Sequence, residues 1–192
     1  MFSGIVHAIG RVTKIEKKQA EAMVVIEAST IARQVKLGSS VSVDGVCLTV
    51  EKKSGTTLQF SVMGETLRKT VLADKVAGDT VNVESSLRVG DEIAGHFVYG
   101  HVDGIAEVKK VSSHGDSVLL TIALPKKLQK YVAPQGSIAI DGVSLTVAKL
   151  GKQECTVSLV DYTLKHTTLG GLKKGDRVNI ECDMLAKYVQ RH

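Results

Sequence analysis

A thiol, two imidazoles and several hydroxyls stand where their types and spacing suit chemistry. Cys47 lies in VDGVCLTV (43–50), and the phrase returns as IDGVSLTV (140–147) with Ser144 in place of the thiol. A thiolate adds to electrophilic carbon, and an imidazole, titrating near neutrality, moves protons; a hydroxyl does either when a base holds its proton. His96 and His101 occur in GHFVYGH (95–101), Ser40 opens the stretch before Cys47, and Asp183 precedes the last apolar segment. Plainer readings stand beside these. Cys47 between Val46 and Leu48 suits a small buried hydrophobe. The histidines suit a strand end and lack the spacing of metal ligands on one helix face. Ser40 and Ser42 suit a turn or a solvated strand, and Asp183 suits the N-cap of a final helix. Cys155 and Cys182 read as core cysteines.

The elements that must position these groups come in two copies. Shifted by 97 residues, SVSVDGVCLTV (40–50) falls on SIAIDGVSLTV (137–147), Thr66-Leu67-Arg68 on Thr163-Leu164-Lys165, and GDTVNVE (78–84) on GDRVNIE (175–181). That period is too long for a solenoid or propeller unit and means a tandem domain. Val41, Val43, Val46, Leu48 and Val50 are largely alternating apolar positions broken at Asp44-Gly45, which reads as a hairpin with a tight turn. Further strands are expected over Met23–Ala28, Leu58–Met63, Thr80–Glu84, Ser117–Ala123, Thr156–Val160 and Arg177–Glu181. Short helical turns are expected over Ala32–Val35, Glu65–Arg68, Lys126–Val132 and Thr163–His166. The fold class is all-β, with about six strands per copy closing into a small barrel that leaves no edge exposed. In the last ten residues Met184, Leu185, Tyr188 and Val189 share one face of a short helix, which needs a partner surface.

Composition removes several function classes. The net charge of +5 is spread as lysine pairs between apolar runs, and with no Trp, three Phe and four Tyr the chain lacks a stacking platform for bases. Three cysteines, far apart and without a Cys-x-x-Cys pair, argue against a disulfide framework and a zinc site. The start MFSGIVHAIGR has no basic region ahead of its apolar residues, and no apolar run spans a bilayer, so a cytoplasmic location is expected. Two identical pockets would imply two equal sites, whereas chemistry needs different groups at its two ends. At the shift of 97, Cys47 answers to Ser144, Ser86 to Asp183 and Gly4 to His101.

The motifs MF-S-GIV, GVCLTV, M-x-ETLR-x-T, GDEIAGHFVYGHVDG, GSIAIDGVSLTV, HTTLG and GDRVNIE-x-D cover the chain in order. Together they resemble the riboflavin synthase family of the α-chain type. The resemblance implies two six-stranded Greek-key barrels, 1–97 and 98–184, and a helical segment at 185–192. It implies one lumazine-type ligand site per barrel, a homotrimer, no metal or added cofactor, and association with lumazine synthase rather than with nucleic acid or membrane. The implied reaction moves a four-carbon unit between two molecules of 6,7-dimethyl-8-ribityllumazine, giving riboflavin and 5-amino-6-(D-ribitylamino)uracil. The alternative within the fold is a non-enzymatic lumazine or flavin carrier.

By motif position the resemblance makes Ser40, Cys47, His101, Asp183 and Phe2 catalytic. Cys47 or a water on Ser40 would add to one ring, His101 would assist proton transfer, and Asp183 would orient the donor. Ser3, Gly4, Ile5, Val6, Leu48 and Thr49 would line the N-terminal pocket, with Ser61, Val62, Met63, Gly64, Glu65 and Thr66. His101 would join Gly100, Val102, Ser144, Leu145 and Thr146 in the C-terminal pocket, with Leu159, Val160, Asp161, Tyr162, Thr163 and Leu164. Gln135 stands where the family has a lysine, Ser3 where it has a threonine, and the chain ends at His192, short for a helix that joins subunits.

Overall fold

The computed structural model describes residues 1–115 and 117–190. In the first copy the strands are β1 (Ala8–Lys17), β2 (Glu21–Glu27), β3 (Ser40–Val43), β4 (Val46–Thr49), β5 (Lys52–Ser54), β6 (Thr57–Met63) and β7 (Thr80–Ser85), with helices α1 (Ser29–Gln34) and α2 (Gly64–Lys69). The second copy has β8 (Gly104–His114), β9 (Ser117–Ala123), β10 (Ser137–Ile140), β11 (Val143–Leu150), β12 (Glu154–Leu159) and β13 (Arg177–Cys182). It also has a 3-10 turn at Lys126–Tyr131 and helix α3 (Asp161–His166), and α4 (Met184–Val189) follows β13. All strand pairs are antiparallel. Each expected strand is present to within two residues; the expected turns at Glu65–Arg68 and Thr163–His166 fall inside observed helices, and those at Ala32–Val35 and Lys126–Val132 run one residue past theirs. β1 and β8 escape the alternation pattern because each carries a bulge, at Val12/Lys14 and at Val108/Lys110, which shifts the side-chain phase in mid-strand.

The second copy closes as a six-stranded barrel in the order β10-β11-β12-β9-β8-β13. The first is a half-barrel, a sheet in the order β4-β3-β7-β1-β2-β6-β5, and so departs from the closed form expected of both. Its two edges are halves of one stretch of chain, the counterpart of β11, interrupted at Val50-Glu51. The bulge of β11 at Val147/Lys149 marks the same place in the second copy. At the interruption the Val50 N–H donates to Ser39 O (2.9 Å), as the Val147 N–H does to Gly136 O (2.9 Å) in the second copy, and the Glu51 N–H donates to Gln59 O (2.9 Å).

Each unit fills its own interior. Val24, Ile26, Val41, Val43, Leu58 and Phe60 belong to one cluster, and Leu120, Ile122, Ile138, Ile140, Val157 and Ile180 to the other. These residues alternate along their strands, so every inward position is apolar. The two units meet tip to tip through their Asp-Gly turns. Asp44 and Gly45 both have positive φ (44° and 77°), as do Asp141 and Gly142 (44° and 78°), the geometry of the hairpin turn the sequence predicts. A Cβ on Gly45 would lie 2.7 Å from Gly142 N, and one on Gly142 2.7 Å from Gly45 N, so glycine is required here twice over.

Two buried asparagines lock the junction reciprocally. Asn82 on β7 donates from Nδ2 to Asp141 O (3.0 Å) and accepts from Thr168 N (2.8 Å); Asn179 on β13 donates to Asp44 O (2.7 Å) and accepts from Val71 N (2.8 Å). Above this junction Phe2 and Val98 form a two-way bridge (2.7 and 3.1 Å), buried with Ala139. Beyond it the two leading segments cross. Val6 packs on the core of the second unit and Val102 on the core of the first.

α4 ends at Val189, shorter than expected, and Arg191 and His192 lie outside the described residues. Leu185, Tyr188 and Val189 stay exposed on it, the uncovered apolar face the sequence predicts. At the junction, replacing Gly142 by Ala is expected to cost ~2 kcal/mol or more, since it adds a left-handed non-glycine residue to a Cβ clash with backbone. Urea unfolding of the full chain measures this. A cost of a few tenths would mean that the turns do not bear on each other.

Candidate functional site

The crossing builds two composite sites on the outer faces of the barrels, the first of them lining a cavity. In the first, β4 turns Val46 and Leu48 inward and leaves Cys47 half-buried on the outer face. The Cys47 N–H donates to Gly100 O (2.9 Å), so the segment leading into the second barrel lies along this strand. Gly100 has φ +77°, and a Cβ there would be 2.5 Å from Cys47 Cβ, so only glycine allows the approach. Cys47, Glu65, Thr66, Lys69, Gly100 and His101 line a cavity of about 200 Å³, with Val46, Thr70 and Val102. Glu65 makes ion pairs with Lys69 (2.8 Å) and Arg68, and these hold its carboxyl down at about 2.

The second site repeats the backbone contacts with different chemistry. Ser144 on β11 donates its N–H to Gly4 O (2.8 Å), and a Cβ on Gly4 (φ +77°) would be 2.6 Å from Ser144 Cβ. The Ser144 hydroxyl lies 2.7 Å from His96 Nδ1. His96 is buried and its Nε2 has no hydrogen-bond partner. Burial pushes the imidazole pKa below its ordinary value, against an opposing pull from Asp183, so His96 is neutral near pH 7. A neutral imidazole accepting from a hydroxyl is a base couple able to relay a proton. Asp183 also caps α4, accepting from Leu185 N at 2.9 Å, as its plainer reading expects. Beside this pocket α3 carries a stacked Tyr162–His166 pair (4.0 Å between centroids) where α2 has the Glu65–Lys69 ion pair.

These contacts regroup the residues assigned from sequence. His101 lines the pocket of Cys47 and not that of Ser144, whereas Gly4 sits against Ser144 and Val6 on the second core. The counterpart of Gly4 is Gly100, a shift of 96, because the leading segments and first hairpins are one residue out of step with the remainder; Ile5 therefore answers to His101. Ser42, rather than Ser40, pairs opposite Cys47, while Ser40 pairs opposite Thr49. Thr146 pairs opposite Ser137 on the corresponding outer face.

Phe2 is fully buried and the Ser3 hydroxyl is bonded to Glu84. Leu48, Val62, Leu145 and Leu159 point into the cores, and Leu164 packs on one from its margin. Met63 and Val160 are exposed at matching strand ends, near Gly64 and Asp161, the first residues of α2 and α3. Ser61 is bonded to Glu51 (2.8 Å), and Thr163 accepts from the Thr167 hydroxyl through its carbonyl. Gln135 is an exposed loop residue at φ +62°, the position held by Gly38 in the first copy.

From sequence, His96 stands out as an imidazole without assignment to a pocket, and Glu84 and Glu181 have no role, although the repeat preserves both glutamates in GD-x-VN-x-E. Glu84 accepts from Ser3 N (2.8 Å), Ser3 Oγ (2.9 Å) and Gly4 N (3.1 Å), and Glu181 from Tyr99 N (2.8 Å), Gly100 N (2.9 Å) and His101 N (3.1 Å). Among the described residues no group of histidine, cysteine and carboxylate ligands could hold a metal, and no helix is long and apolar enough to cross a membrane.

Two outward-facing sites with the same backbone contacts, the first lining a cavity, define a duplicated small-ligand-binding protein. The family profile described as Lumazine binding domain matches residues 3–86 and 99–183. Riboflavin synthase from Brucella abortus (strain 2308) is 40% identical over the whole chain and 97% of its own length, and that of Actinobacillus pleuropneumoniae 37% over the whole chain and 89% of its own. The chain belongs to the riboflavin synthase family of enzymes. A crystal structure of LumP complexed with 6,7-dimethyl-8-(1'-D-ribityl) lumazine superposes with a TM-score of 0.86 at 27% identity, covering 95% of this chain and 99% of that one.

Burial raises the Glu84 carboxyl from 4.5 to about 7 against the opposing pull of its hydrogen bonds, and it raises Glu181 and Asp141 in the same direction. Between these pH values the native state holds a proton that the unfolded chain has released, so the contribution to stability is full below about 4.5 and is lost as pH rises through about 7. The urea midpoint is expected to fall over that interval, and Glu84→Gln should flatten part of the slope. A midpoint that rises with pH, unaltered in the variant, would contradict the assignment.

Proposed function

We propose that the protein converts two molecules of 6,7-dimethyl-8-ribityllumazine into riboflavin and 5-amino-6-(D-ribitylamino)uracil. The observation that carries this reading is the pair of sites with matched backbone contacts and unmatched chemistry, a thiol beside His101 in one and a Ser144–His96 couple in the other. Donor and acceptor are the same compound, which suits two related pockets; they behave differently, which suits divergent groups. The transfer is a dismutation in which all atoms of two substrates reappear in two products, with no external oxidant or reductant.

In this reading the Ser144–His96 couple takes a proton from an acidic methyl of one lumazine, while Cys47 adds to the ring of the other and leaves at the end. His101 assists proton transfer at the first pocket, and Asp183 tunes His96. Holding the two rings face to face supplies much of the rate, since well-oriented pairs gain ~7 kcal/mol or more. The two pockets of one productive pair come from neighbouring subunits of a homotrimer, a reading supported by the uncovered apolar face of α4.

A second reading, a lumazine carrier without turnover, is favoured by the likeness to LumP. Incubation of the purified full chain with 6,7-dimethyl-8-ribityllumazine alone separates the two. One riboflavin is expected for every two lumazines consumed, with Ser144→Ala lowering kcat by ~100-fold and Cys47→Ser lowering it without abolishing binding. Tight binding with no riboflavin would establish the carrier instead.

A further inference from the structure

We propose that Glu84 and Glu181 are positioning residues that act crosswise, each organising the ligand pocket of the opposite barrel. The inference rests on the reading of the two pockets as lumazine sites. Glu84 stands on β7 of the first unit, yet the peptides it holds, Ser3 and Gly4, fix both members of the couple in the second pocket. The backbone N–H of His96 donates to Ser3 O (3.1 Å) and that of Ser144 to Gly4 O (2.8 Å). Glu181 stands on β13 of the second unit and holds Tyr99, Gly100 and His101; Gly100 and His101 line the first pocket, and Gly100 O accepts the Cys47 N–H (2.9 Å).

Above about pH 7, where Glu84 has released its proton, the clamp works as a carboxylate, and the variants are compared there. At Gly4 and Gly100 the backbone is left-handed, and consecutive N–H groups converge on one point as in an anion-binding nest. Two carboxylate oxygens accept all of them. A glutamine presents one acceptor oxygen and turns an NH2 donor toward another donor, so part of the clamp opens while side-chain volume is unchanged. The neighbouring Asn82 and Asn179 bridge turns at the junction and touch neither segment, so they do not substitute for the clamp.

Cys47 reports on the first pocket alone, because Cys155 and Cys182 are buried. The test measures iodoacetamide alkylation of Cys47 in the full chain, with and without 6,7-dimethyl-8-ribityllumazine, in Glu84→Gln and Glu181→Gln, with Cys47→Ser as background. Glu181→Gln is expected to speed alkylation several-fold and to raise the half-protecting lumazine concentration about tenfold. Glu84→Gln is expected to leave both within about twofold and to lower kcat by about tenfold or more, since its pocket is the other one.

If both variants shift Cys47 alike, or if Glu84→Gln alone does so, crosswise positioning is overturned. Where a glutamine variant does not fold, Glu84→Asp and Glu181→Asp, which keep the charge and shorten the reach, must show the same crossed pattern. A wild-type protein whose Cys47 is not protected by lumazine overturns the pocket reading instead, and the alkylation rates without ligand still decide the positioning.

Discussion

The structure hangs on the contact between two Asp-Gly turns, each needing a left-handed residue pair and each lacking the Cβ that would hold the other away. Their approach brings Asp44 and Asp141 into the interior, where each carboxyl accepts from its own unit's asparagine N–H at 2.7 Å. The two are not equal. Lys75 pairs with Asp44 at 2.9 Å, whereas the corresponding place in the second copy holds Leu172, and burial together with the charge of Asp44 pushes the Asp141 carboxyl well above its ordinary range. Burial raises the Asp44 carboxyl as well, but there Lys75 opposes the shift from contact distance, so the two carboxyls differ in how strongly the charged form is disfavoured.

From that contact the rest of the arrangement follows. With the tips joined, each leading segment reaches the outer face of the other barrel, and the bridge between Phe2 and Val98 fixes where they cross. Each pocket is therefore composite, one wall from a barrel strand and one from the segment that opens the other barrel. Duplication usually yields two copies of a site; here it yields two sites that cannot be assembled by either copy alone. The same crossing lets them diverge, since His101 enters beside the thiol while its counterpart beside the serine is Ile5, and His96 arrives there from a different turn.

Much of the fold was legible because its signals are local. The alternation of Val41, Val43, Val46 and Leu48 around Asp44-Gly45 encodes a hairpin in a stretch short enough for one turn to set its register, and the repeat then encodes a second. β1 and β8 were not legible because their bulges break the alternation. The split of the first barrel at Val50-Glu51 was not legible because a bend of that kind is decided by strands far away in sequence. In the site, Cys47 and Ser144 stood out as a difference between copies, while Glu84 and Glu181 stood in plain view as an identity between them and looked like ordinary strand-end acids.

The sequence by itself determined the duplication, the hairpins, the apolar interiors and which residue types face each other in the two copies, since each is written in spacing along one strand or between repeats. Only the tertiary structure decided which groups share a pocket. The partners of Cys47 and Ser144 lie on segments 53 and 140 residues away, and the hydrogen bonds that place them, Cys47 to Gly100 and Ser144 to Gly4, join different units. Periodicity carries no record of such a crossing, because it arises from two turns packing without side chains between them and leaves the pattern along each strand unchanged.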